Sequence, residues 1–221
     1  MSEINECCGQ TFGHTRWCTG LKSNGQLQRW YTTWTGRKFD VFDPDPSAIV
    51  IEDIAHALSL KCRYNGHCNR FYSVAEHSWL MSSLFVEPEL RRAALLHDAA
   101  EAYLCDLPSP IKHSVYMSDF REVEDDLQYV IYKKFYLPAK KLEQIAEADK
   151  WMLIQEVLSP VIGVRHPETR LPIVRKSFPR VYVSGLQPEI AEEMFLKVWR
   201  EVEAEFYGDT IQSSALSAQA S

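Results

Sequence analysis

The sequence predicts a mainly α-helical protein with a small N-terminal β-hairpin and a loop-rich insertion before its last helix. Three observations predict it. From Ile51 onward apolar residues recur at steps of three and four through successive segments, the period of a helix with one buried face. Before Pro44, the segments QRWYTTW and KFDVFD are aromatic and β-branched and are separated by Thr35, Gly36 and Arg37, the pattern of a hairpin. Residues 159–187 gather prolines and lose the helical period, which returns at Pro188.

Taken in order, residues 1–27 read as a loop-rich lead-in broken by Gly9, Gly13, Gly20 and Gly25. The hairpin follows, and Pro44 with Pro46 ends its second strand. IEDIAHALSL is a first short helix. SVAEHSWLMSSLF is a second, with Ser73 as N-cap and Glu76 three residues on in a capping box. ELRRAALLHDAAEAYL is a third, stopped by Pro108 and Pro110, and residues 118–135 form a fourth with Phe120, Val123, Leu127 and Val130 on one face. A fifth starts at Pro138, a residue suited to a first turn, and runs to about Leu158. The last runs from Pro188 to about Phe206 with Ile190, Met194, Val198, Val202 and Phe206 as its buried stripe. The expected organisation is an extension over 1–49, a helical domain over 50–207 and a small, polar, disordered tail over 208–221.

A chain of 221 residues, 46% hydrophobic and 24% charged, suits one globular domain. No apolar run approaches the ~20 residues needed to cross a bilayer, and the N-terminus lacks a basic and an apolar signal region, so a cytoplasmic protein is expected. The net charge of −6 speaks against stable binding to nucleic acid, which draws on a basic face. Six cysteines without a secretion signal read as reduced thiols. Cys7, Cys8, His14 and Cys18 offer zinc-ligand types, but their spacing matches no common zinc module.

The informative residues are polar ones on faces that should be buried, because an ionisable group without a partner costs several kcal/mol there, of order 2–7 for a neutral polar group and more for a charge. His77 lies in the stripe of Val74, Met81 and Leu84. His97 lies in the stripe of Leu90, Ala94 and Leu104, with Asp98 beside it, and Asp149 sits between Ile145 and Met152. A single buried His or Asp is ordinarily satisfied by a backbone or hydroxyl group. Two imidazoles and two carboxylates pointing inward from three helices are instead the ligands that borderline divalent ions take. On a continuous helix His97 and Asp98 diverge by about 100°, so a shared ion must lie at the helix flank. Glu101, one turn on, faces the same side and can reach water or a substrate oxygen.

The segments SVAEHS, LLHDAAEAY, CDLPSPIK and EADKWMLIQE resemble the HD-domain phosphohydrolase superfamily, whose core is a helical bundle, and look closest to bacterial 5′-deoxynucleotidases and their phage-encoded relatives. The resemblance covers about residues 50–160 and rests on the H…HD…D pattern with the trailing DLPSPIK. It implies one divalent metal ion, Zn²⁺ or Co²⁺ before Mn²⁺ or Mg²⁺, on His77, His97, Asp98 and Asp149, with Glu101 catalytic. It assigns Arg63 to the substrate phosphate and Asp106 to a site beside the nucleotide sugar. Tyr64 stands where the deoxynucleotidases carry a tryptophan. Lys112 can offset phosphate charge, or is a solvated lysine after a proline turn. The segment TWTGRKFDVFDPDPSAIVIEDIAHALS, with RYNGHCNRFYSVAEHS, looks like phage-encoded members, which implies a dATP triphosphohydrolase working in the host cytoplasm.

The expected reaction is attack of water on phosphorus, with the ion polarising the phosphoryl oxygen and Glu101 positioning or deprotonating the water. A 5′-deoxynucleotidase acting on several dNMPs is the alternative. From another class, a non-catalytic metal-bound nucleotide sensor is a second, and metal-dependent phosphate release separates it. Alarmone hydrolases of the superfamily carry Glu-Asp after the pair, whereas Ala102 follows Glu101 here; a two-metal phosphodiesterase would want further histidines, and only His113 is near. The resemblance also implies a homo-oligomer. His67 and Arg70, between Arg63 and His77, are the remaining candidates for substrate contact.

Overall fold

The computed structural model describes residues 29–137, 143–163 and 171–219, with the side chains of 208–219 excepted. The lead-in over 1–27, the Cys7, Cys8, His14, Cys18 group and the Pro138 start of the fifth helix lie outside the described residues. The architecture is mainly helical, as the periodicity predicts. Among the described residues no helix is long and apolar enough to cross a membrane.

The hairpin is shorter than its pattern suggests. β1 (Tyr31–Thr32) pairs antiparallel with β2 (Lys38–Phe39), and Gly36 turns the chain at φ 83°. It is held to the helices by three contacts. The backbone N–H and the hydroxyl of Thr35 donate to the two Asp53 carboxylate oxygens, each at 2.8 Å, and the Tyr31 hydroxyl donates to the Tyr103 carbonyl at 2.7 Å. Phe39, fully buried, stacks on Tyr103 at 4.1 Å between ring centroids.

Helix α1 (Ile51–Leu60) is followed by α2 (Val74–Ser82), which is buried on nearly every side and packs against α1 and against α3 (Pro88–Leu95), α6 (Glu143–Val157) and α7 (Pro188–Gln219). A short α4 (Ser109–Lys112) and α5 (Ser118–Lys134) complete the set, α5 lying over residues 99–102. His77 therefore sits in the centre of the bundle rather than on one apolar stripe.

Half of the expected capping box forms. The Ser73 hydroxyl accepts from the Glu76 N–H at 3.0 Å, but the Glu76 carboxylate does not turn back. It accepts instead from the N–H groups of Ser184, Gly185 and Leu186 at 2.8, 3.1 and 2.7 Å, which ties the end of the loop-rich insertion to the first turn of α2. Gly185 is required there: its φ is +69° and a Cβ would come within 2.9 Å of the Phe71 carbonyl oxygen.

Three helix expectations need correction. The third helix does not run from residue 89 to 104. It ends at Leu95, Leu96 leaves helical geometry at φ −103°, ψ 10°, and a 3-10 turn covers Ala99–Ala102. No proline or glycine marks this break. The Gln128 side chain of α5 stabilises it, donating to the Leu96 carbonyl at 2.8 Å and accepting from the Ala100 N–H at 2.9 Å, so the backbone groups freed by the break are satisfied.

The buried stripe of α7 is Ala191, Phe195, Val198, Trp199 and Val202: Val198 and Val202 lie where the pattern puts them, but Ile190 is exposed, Met194 and Phe206 are half-buried, and Ala191, Phe195 and Trp199 face inward instead. The helix also continues to Gln219 where a disordered tail was expected. Residues such as Ala215, Leu216 and Ala218 are good helix formers and extend an existing helix without a new nucleus.

Candidate metal and phosphate site

The break before His97 is what lets the two histidines and Asp98 meet. With the helix ended, the Asp98 backbone turns to φ −110°, ψ 22°, and Asp98 Oδ2 comes to 3.1 Å from His97 Nε2 and 3.7 Å from His77 Nε2. The flank geometry expected of a continuous helix is therefore replaced by a turn in which neighbouring side chains converge. His77, His97 and Asp98 each offer a ligand atom, and those atoms lie within 4.8 Å of one another. From α6, Asp149 Oδ1 reaches 3.5 Å from His77 Nε2 and 4.0 Å from His97 Nε2. His77 and His97 are buried, and Asp149 is the most open of the four, its side chain 39% exposed.

The far nitrogens of the two rings have partners that set their tautomers. His97 Nδ1 lies 2.7 Å from the Ala94 carbonyl, an oxygen that can only accept, so Nδ1 carries the proton. His77 Nδ1 lies 2.5 Å from Glu156 Oε1, whose carboxylate likewise accepts. Both Nε2 atoms then present lone pairs, yet they lie 3.1 Å apart and face carboxylate oxygens. Two imidazole lone pairs and two carboxylates crowded at one point repel one another, and a divalent cation is a species that reconciles them. The donor set fits a borderline divalent ion, and a carboxylate holding the other nitrogen of a ligating histidine is the usual support of such a ligand.

Glu156 was not legible as a site residue, although it lies seven residues after Asp149, two turns along the same face of α6. It is fully buried and accepts from Tyr72 Oη at 2.7 Å, Tyr64 Oη at 2.5 Å and Arg63 Nη2 at 3.4 Å, besides His77. Burial alone would raise its pKa; the Arg63 charge, with the hydrogen bonds from His77 and Tyr64, holds it down to about 2.

Arg63 reaches the same centre from the loop after α1. Its Nη1 lies 3.6 Å from Asp98 Oδ2, and its buried Nε has no hydrogen-bond partner among the described residues. Burial works against its charge, but Glu156 and its neighbours raise its pKa, so it stays cationic. Tyr64 adopts a left-handed backbone at φ 57° that sends its hydroxyl to Glu156. Burial and the Glu156 charge raise that hydroxyl's pKa, so it donates rather than ionises.

Glu101 is buried at 5% exposure, and its Oε2 has no hydrogen-bond partner among the described residues. Burial, with the Asp98 and Asp106 charges, pushes its pKa well up. Lys112 Nζ bonds to Glu124 Oε1 at 2.8 Å and stands 3.6 Å from Glu101 Oε1, so it is a half-buried partner of two carboxylates rather than a solvated lysine. Burial opposes its charge while Glu101 and Glu124 raise its pKa. Asp106 is raised by burial and lies within electrostatic reach of Arg63, Asp98 and His77.

His97, Asp98, Glu101 and Lys112 line one side of a cavity of about 550 Å³, closed on the other by α5 residues including Glu124 and Tyr132. Its size suits a nucleotide-sized ligand. Lys61 braces the turn from behind, its Nζ donating to the Glu101 and Ala102 carbonyls, and neither Lys61 nor Gln128 has a sequence pattern that marks it. His56 pairs with Glu192 at 3.0 Å, away from this centre.

No family model matches the chain. Over 124 residues it is 40% identical to the uncharacterized protein YfdR of Escherichia coli, a stretch covering 56% of this chain and 68% of that protein. Over 118 residues it is 41% identical to an uncharacterized protein of Rhodobacter capsulatus, covering 50% of this chain and 60% of the relative. With such identity across two thirds of that relative's length, the chain belongs to the family of the Escherichia coli protein YfdR.

Proposed function

We propose that the chain is an HD-type, divalent-metal-dependent phosphohydrolase acting on deoxynucleoside 5′-phosphates, with dATP, hydrolysed to deoxyadenosine, as its first candidate substrate. The observation that supports it most is the convergence of His77 Nε2, His97 Nε2 and Asp98 Oδ2 beside a buried Glu101 oxygen, unpartnered among the described residues, at the wall of a cavity of about 550 Å³. Asp149 completes the ligand set from α6. Bound there, a divalent cation supplies a Lewis acid beside the phosphate and favours hydroxide over water.

The chain's own residues do the rest. Arg63, fixed by Glu156 and Asp98, brings to the ligand cluster a guanidinium, the group shaped to meet phosphoryl oxygens. Glu101 Oε2 takes the proton from the attacking water, and burial sets its affinity for that proton high. Lys112 keeps Glu101 in place and offsets the negative charge that gathers around the phosphate. Asp106 stands by to accept from a sugar hydroxyl. The adenine preference rests on the resemblance to phage-encoded enzymes.

The test is incubation of the protein with Zn²⁺, Co²⁺, Mn²⁺ or Mg²⁺ and a panel of dNMPs, dNTPs and rNTPs, with products resolved by chromatography. Deoxyadenosine from dATP is the expected product. Release of phosphate from several dNMPs and none from dATP would make it a 5′-deoxynucleotidase. Metal binding with no phosphate release from any of them would leave a nucleotide-sensing module and end the hydrolase reading.

A further inference from the structure

Arg63 and Tyr64 stand on a loop that two thiols close. Tyr64, Asn65 and Gly66 are consecutive left-handed residues at φ 57°, 52° and 78°, a conformation that costs non-glycine residues about 1 kcal/mol each. The reversal they produce, with the isolated antiparallel bridge between Cys62 and Ser73, brings the two ends of the loop together. Cys62 Sγ and Cys68 Sγ lie 3.6 Å apart, both half-buried and both free. Five residues lie between them in sequence, so no CxxC motif announces the pair and the fold alone creates it.

We propose that Cys62 and Cys68 form a reversible dithiol–disulfide site whose co-substrate is a low-molecular-weight disulfide, and that its oxidised form fixes the loop carrying Arg63 and Tyr64. Two sulfurs in van der Waals contact need to approach by only about 1.5 Å to reach bonding distance, within the reach of side-chain rotation. The Cys62 thiolate attacks one sulfur of the co-substrate, forming a mixed disulfide and releasing the first thiolate. Cys68 then gives up its proton and attacks the Cys62 sulfur, expelling the second thiolate. The protein loses two electrons and two protons, and the co-substrate gains both to become two thiols.

Burial and the adjacent Cys62 thiol raise the Cys68 pKa to about 11, which disfavours Cys68 as the attacking thiolate. The consequence lies directly after Cys62, where Arg63 and Tyr64 both hold Glu156. A covalent tie across the loop removes the open conformations in which those two side chains swing away. The thiol chemistry does not depend on the hydrolase reading.

The experiment treats the full chain with glutathione disulfide, alkylates free thiols and digests with trypsin without reduction. The expected product is Cys62–Arg63 linked by a disulfide to the Tyr64–Arg70 peptide, with Cys105 alkylated and dithiothreitol restoring the starting masses. C68S should stop at a glutathione adduct on Cys62. A wild-type protein that carries only glutathione adducts, links either cysteine to a different one, or leaves both alkylated overturns the site. Amide hydrogen exchange over residues 63–67 should slow by about tenfold in the oxidised form. Equal exchange in both forms overturns the claim that the bond fixes the loop.

Discussion

Nδ1 of His77 lies 2.5 Å from Oε1 of Glu156, and neither group is exposed to solvent. One carboxylate thus orients the central histidine from α6 while also anchoring Arg63, Tyr64 and Tyr72, so the arginine proposed to bind phosphate and the histidine proposed to bind metal share a support.

Glu156→Gln should damage both. Removing the charge leaves Arg63 buried against a neutral amide, a change that costs about 3 kcal/mol, and weakens the proposed metal about 10–100-fold by loosening His77. Thermal unfolding of the metal-free protein reads the first effect, and titration calorimetry with Zn²⁺ or Co²⁺ reads the second. Unchanged metal affinity would show that the contact is structural alone.

Asp149 lies within 4.0 Å of both histidine nitrogens, yet is the most open ligand candidate. Asp149→Ala should therefore fold with a stability within about 1 kcal/mol of the parent while losing bound metal by elemental analysis, because exposed substitutions cost little. Full metal retention would remove Asp149 from the ligand set.

Glu101→Gln keeps the shape of a buried side chain and removes its ability to take a proton. Turnover should fall about 10²–10⁴-fold with metal content unchanged. A variant hydrolysing dATP at the parental rate would rule out the assigned role.

Lys61 gives a pH signature. Burial depresses its pKa from 10.5 to about 8, although the Glu101, Cys105 and Asp106 charges oppose this. Above pH 8 the folded protein has released the proton that the unfolded chain keeps until about 10.5, so this group's contribution to stability rises with pH across that window and is absent below it. Unfolding free energies of the parent minus Lys61→Met should shift in the parent's favour by about 1 kcal/mol between pH 7 and 9. A flat difference would mean that Lys61 is not desolvated.

Much of the helical framework was legible because burying one face of a helix imposes a spacing that the residues record. Ser73 capped α2 as expected, and the aromatic runs around Gly36 made their hairpin. The Glu76 half of the capping box was not legible, since its carboxylate could be satisfied locally or by a distant loop. The Ser184–Leu186 N–H groups, more than a hundred residues away, won with three bonds against one. In α7, Val198 and Val202 were legible, but Ile190 and Ala191 are both apolar, and only contact with α1, α2 and α3 decides which of the two faces inward.

By itself, the sequence determined which side chains were available for chemistry: His77, His97 and Asp149 occupied positions that only a partner could justify, and Asp98 and Glu101 followed from their neighbours. Only the tertiary structure decided how they meet. The chain between Pro88 and Leu104 carries no breaker, so its local preference is a continuous helix that would splay His97 from Asp98. Gln128, from a helix distant in sequence, satisfies the freed backbone groups and makes the break after Leu95 favourable, and Glu156 turns the His77 ring toward the same point. Such choices depend on hydrogen bonds between segments far apart along the chain, which leave no period or motif to read.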